Sequence, residues 1–170
     1  FLAERRVGLV HRDFLKIHES VIDYYIEDRY QRKSRIQNWE IDNNTSKYYG
    51  DKKTPHAVAV RLDAKKSFYE KDLRDAREKL MSLYLDSAKV PVNHLERTRV
   101  LKQLYDVSIA QDSLNLAKRY LDELLESQEK ILGTNALEYH YSKIELATYY
   151  QTYTNKFSSV DSLFKESFEG

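Results

Sequence analysis

Imidazole, carboxylate and thiol groups are where chemistry would start. The histidines stand at positions 11, 18, 56, 94 and 140, scattered over different predicted helices. None has a partner four residues away, the spacing that would put two metal ligands on one helix face. His11 and His18 are seven apart on a single face and read as surface or half-buried histidines. The carboxylate groups Glu27-Asp28, Asp122-Glu123 and Glu166 with Glu169 fall on polar helix faces, where they solvate the surface. Cysteine is absent, which excludes thiol catalysis, disulfides and cysteine zinc sites and says nothing about redox compartment. The glycines at 8, 50, 133 and 170 are too far apart to build a phosphate-cradling loop. With no convergent acids, bases, nucleophiles or ligands, neither catalysis, cofactor nor metal is expected.

Binding chemistry is better represented. The run Arg29-Tyr-Gln-Arg-Lys-Ser-Arg35 sets four cations and an aromatic ring in seven residues, suited to phosphate or an acidic partner. Its alternative reading is a solvated junction between two helices, with Glu27 and Asp28 alongside. Fourteen tyrosines supply amphipathic rings, and Tyr139, Tyr141, Tyr149, Tyr150 and Tyr153 cluster near the end of the chain. Some of these must be core. Asn43-Asn-Thr45 and Asn44-Thr-Ser46 match glycosylation triplets, which are common by chance. The formal net charge of +1 gives no bulk attraction to nucleic acid, and no apolar run is long enough to cross a bilayer.

These residues need long helices to hold them. Four glycines and two prolines leave few punctuation points, and about a third of the chain is charged. Ala76, Ala117 and Val160 recur 41 and 43 residues apart. Each follows a large apolar residue by three (Leu73, Leu114, Phe157) and precedes another by four (Leu80, Leu121, Phe164). Val60, Leu101 and Ile144 lie 16 residues before each small site. A period near 42 with this content marks stacked helical hairpins. Helix starts recur in phase: Thr54-Pro55, then the capping boxes Asn93 to Glu96 and Asn135 to Glu138. Asp72, Asp112 and Asn155 are expected to cap the second helices. First helices are placed at 55–71, 93–110 and 136–153, and their partners at 73–89, 113–132 and 157–168. Upstream, an apolar stripe (Val10, Phe14, Leu15, Ile17, Val21, Ile22, Tyr25) predicts a helix over 4–29. A helix near 32–49 would carry Ile36, Trp39 and Tyr48, with Ser34 at the small-residue position. Gly50 and Gly133 are expected to end helices in the left-handed conformation.

Tyr48-Tyr-Gly-Asp-Lys-Lys-Thr-Pro-His-Ala57 and Gln128-Glu-Lys-Ile-Leu-Gly133 resemble inter-repeat segments of long tetratricopeptide repeats of the kinesin-light-chain type. Ile144-Glu-Leu-Ala-Thr-Tyr-Tyr150 is similar to the first helix of such repeats. The resemblance covers residues 34–168. It departs at Ala64, Tyr105 and Thr148, where the family often has glycine, and keeps a closing proline only at Pro91. It implies an all-α, right-handed solenoid of four antiparallel hairpins, approximately 1–53 (divergent), 54–91, 92–133 and 134–170.

A concave groove lined by the first helices follows from the resemblance. Arg61, Lys102 and Glu145 would face it, as would Lys65, Asp106 and Tyr149, with Arg99 and Ser142 one turn earlier. The Lys–Asn carboxylate clamp of some members has no asparagine here. The groove instead offers a basic strip, Arg61, Lys65, Arg99 and Lys102, beside Phe68, Tyr149 and Tyr153. The expected function is a non-catalytic scaffold for a protein or peptide, acidic or aromatic-bearing. The alternative is a regulatory, sensor or self-assembly domain of a larger signalling protein with no free peptide ligand. Since the chain does not begin with Met and stops within an apparent helix, it is expected to be an excerpt of a longer array.

Overall fold

The computed structural model describes residues 12–28, 31–49 and 56–154. Among these the chain is all-helical, in two compact units divided between Leu85 and Asp86.

The first unit holds α1 (Arg12–Glu27), α2 (Gln31–Tyr49), α3 (Ala57–Tyr69) and α4 (Leu73–Leu85). Consecutive helices pack as pairs, α1 on α2 and α3 on α4, and α3 also lies against both α1 and α2. Ile22 and Ile26 of α1, Ile41 of α2, and Ala59 and Leu62 of α3 form its core, with Val58 packed against it. The second unit holds α5 (Leu95–Ala110), α6 (Leu114–Leu132) and α7 (Leu137–Tyr153), with α6 against both neighbours. Leu101 and Leu104 of α5 and Ala117, Tyr120, Leu121 and Leu124 of α6 are all essentially inaccessible, and the two helices pack together.

The small residues that recur in the sequence are buried: Ser34, Ala76 and Ala117 are each 0 % exposed. The turns repeat as well. Lys71 and Asp112, 41 residues apart, are the only non-glycine residues with positive φ among the described residues, at 67° and 54°. After each, an amide reaches back five residues: Asp72 to the Ser67 carbonyl and Ser113 to that of Ser108, both at 2.9 Å. This is the Schellman closure, and it satisfies carbonyls left open at a helix end.

Several expected boundaries shift. Asp72 caps as expected, accepting from the Asp75 amide at 3.0 Å. Asp112 does not, because it occupies the left-handed turn and leaves Ser113 as N-cap. The expected capping box at Asn93 is replaced by His94, whose Nδ1 accepts from the Glu96 amide at 3.1 Å. The N-cap before α7 is Ala136, with no side-chain bond, rather than Asn135. Helix α4 ends at Leu85 instead of 89, since the Asp86 carboxylate takes the amides of Ala88 and Lys89 in a turn. Thr54-Pro55, Gly50, Asn155, Val160 and the expected helix at 157–168 lie outside the described residues.

Gly133 closes α6 at φ 86°, ψ 164°. The positive φ is as expected, but ψ is extended, so the residue lies in a region open essentially only to glycine rather than in the left-handed helical one. A Cβ there would meet nothing within 4 Å. Gly133→Ala is therefore expected to destabilise the second unit through backbone strain alone, by about 1–3 kcal/mol in urea unfolding.

Candidate binding surface

Helices α1 and α3, and likewise α5 and α7, meet through ion pairs. Arg61 of α3 donates to Glu19 of α1, and Lys65 to Asp23 at 2.7 Å; both pairs span 42 residues. In the second unit Lys102 of α5 reaches Glu145 of α7 at 2.9 Å, a span of 43, and Asp106 at 2.6 Å. These contacts decide the fate of the basic strip. Arg61 is 4 % exposed and held by Glu19, so it belongs to the helix stack rather than to an open surface. Lys65 is bound to Asp23, and Arg99 lies 3.4 Å from Glu96. The four cations, two in each unit, all carry carboxylate partners from the chain itself.

Among the aromatic residues, Tyr149 is 5 % exposed and donates its hydroxyl to the Leu114 carbonyl at 3.1 Å, locking α7 onto the start of α6. Phe68 is half-buried against Tyr69. Tyr153 is exposed, its ring centroid 5.5 Å from that of Tyr149. Of the expected site residues, the structure draws Lys102, Tyr149 and Tyr153 into one neighbourhood in the second unit and Arg61, Lys65 and Phe68 onto α3 in the first.

The second-unit cluster is the more accessible. Lys102 lies over the Tyr105 ring at 5.3 Å, between Asp106 and Glu145. Burial alone would lower its ammonium pKa; the two carboxylates outweigh that and hold it above its ordinary value. Burial, then the nearby Glu145 charge, pushes the Tyr105 phenol up to about 12. Burial also raises Glu145 despite Lys102. The Glu145 contribution to stability is thus full below its unfolded value near 4.5 and falls as pH rises through the folded value. Asp75 behaves oppositely. Lys79 and Ser67 lower it, so its contribution is present above 3.8 and is lost as pH falls through its folded value. In melting profiles against pH, Glu145→Gln is expected to flatten the slope above 4.5, and Asp75→Asn the acid limb below 3.8.

A cavity of about 500 Å³ runs along α6, from Val92 and Asn93 past Arg119, Glu123 and Ser127 to Ile131. Its acids are matched within the chain, Glu123 by Arg97 and Glu126 by Lys130. Among the described residues no three His, Asp or Glu side chains converge as a metal site would require. Nor is any described helix long and apolar enough to cross a membrane.

Sequence reasoning missed Glu19 and Asp23. The signal was available, because one more step of 42 residues back from Arg61 and Lys65 lands on them. No family model and no curated protein matches this chain.

Proposed function

We propose that the chain is a tetratricopeptide-type interaction module, a right-handed solenoid of antiparallel hairpins that binds a protein or peptide without catalysing a reaction. The observation that carries this is the register of the ion pairs: Glu19 with Arg61, Asp23 with Lys65 and Lys102 with Glu145 join residues 42 or 43 apart on successive first helices. Stacked copies of one unit produce that register, and stacked units present a continuous curved surface for a partner. Arg99, Lys102 and Tyr153 are the accessible members of the expected groove. A ligand carboxylate there must compete with Asp106 and Glu145 for Lys102, which favours a partner of mixed charge with an aromatic or aliphatic anchor for Tyr153.

The pairing of the four cations within the chain also supports a second reading, a regulatory or self-assembling domain whose first-helix face is satisfied by its own carboxylates and takes no free peptide. Affinity capture, followed by calorimetric titration with the purified partner, separates the two. Arg99→Glu/Tyr153→Ala, with unchanged helix content by circular dichroism, is expected to lose the partner. Retention by that variant moves binding to another face. A chain that captures nothing and self-associates supports the regulatory reading.

A further inference from the structure

Helix α2 turns two large apolar residues, Ile36 and Trp39, away from the protein. Ser34, Asn38 and Ile41 are buried on the side that meets α1 and α3, whereas Ile36 is 48 % and Trp39 65 % exposed. The sequence reading gave these two no outward role. Arg32, Arg35, Ile36, Trp39 and Asn43 are all exposed and follow steps of three and four residues, so they share one helix face. None of these five is a carboxylate; Glu40, half-buried, lies four residues beyond Ile36, and Asp42 three beyond Trp39, at the border of the face. Arg32 and Arg35 form no ion pair among the described residues, unlike Arg61, Lys65, Arg97 and Lys102, each of which has a carboxylate partner. Two like charges three apart repel and do nothing for the helix itself. An exposed tryptophan beside an isoleucine, flanked by two guanidinium groups, is the composition of an interface hot spot.

We propose that this face of α2 docks an acidic polypeptide segment of a partner protein, bearing aliphatic or aromatic side chains. Its carboxylates accept forked hydrogen bonds from Arg32 and Arg35, and its apolar residues cover the ridge of Ile36 and Trp39. A lipid surface is disfavoured because α1 and α3 occupy the rest of α2, leaving only this two-residue ridge to enter a bilayer. Nucleic acid is disfavoured by the net charge of +1 and by Ile36, which offers no stacking plane. The proposal is independent of the Lys102 surface.

Trp39 is the sole tryptophan of the chain, so its emission reports on this face directly. The full chain would be screened against a displayed random-peptide library lacking tryptophan, and enriched peptides titrated while Trp39 fluorescence is followed. Enriched peptides are expected to combine Asp or Glu with Leu, Ile or Phe and to shift Trp39 emission to the blue. Arg32→Glu/Arg35→Glu, matched for helix content, is expected to weaken them about tenfold or more. The proposal is overturned if nothing enriches, if enriched peptides are not acidic, or if they leave Trp39 unmoved. It is equally overturned if they bind the double variant as tightly. Peptides lost on Arg99→Glu/Tyr153→Ala but kept by the α2 variant sustain the Lys102 surface instead. A larger shift with a single-stranded oligonucleotide or phosphatidylserine vesicles overturns the class of partner.

Discussion

Arg61→Ala is expected to destabilise the first unit by about 3 kcal/mol, because it takes the guanidinium away from the Glu19 carboxylate in a largely dehydrated site. The side chains are 4 % and 15 % exposed, so solvent screens the pair little. The exchange Glu19→Arg/Arg61→Glu restores an ion pair across the same helix contact and is expected to recover part of the loss. Arg74→Ala supplies the comparison. Its bond to Glu78 lies at 88 % and 65 % exposure, where solvent screens the pair, and removing it is expected to leave stability nearly unchanged. Urea unfolding of the three variants beside the parent is the measurement. A small effect of Arg61→Ala would mean that α1 does not stack on α3 in the 42-residue register, and the repeat reading of the first unit would fail with it.

Leu121→Ala is the second large effect. Leu121 is 0 % exposed in the contact between α6 and α5, beside Ala117 and Leu124, so truncation removes apolar burial and opens a cavity that rigid helices cannot close. Losses of about 2–5 kcal/mol are usual for such a change. Leu80, its equivalent 41 residues earlier in α4, is 1 % exposed and is expected to respond alike. Hydrogen exchange should locate the lost protection in α5, α6 and α7 for Leu121→Ala and in α3 and α4 for Leu80→Ala. A change of less than about 1 kcal/mol at both sites would show that the repeated apolar positions do not carry the core.

Taken alone, the sequence determined the helices and much of their periodic core. Apolar spacing, scarce glycine and small residues one repeat apart are local, one-dimensional signals, and α3 through α7 fall within a few residues of their expected spans. What tertiary structure decided was charge and facing. A helix pattern shows that Arg61 and Lys102 recur, but pairing depends on which carboxylate a neighbouring helix brings within hydrogen-bond reach, so the cations read as a basic strip each carry a carboxylate partner. Tyr149 and Trp39 show the same limit from opposite sides. Both are amphipathic rings on helices; packing against α6 buries Tyr149 and joins it to the Leu114 carbonyl, while Trp39 is left in solvent. Cap positions moved for a related reason: Asp112 was drawn into a left-handed turn that closes one helix before the next begins. Composition names the groups available to a helix, and only the neighbouring helices decide which of them remain free.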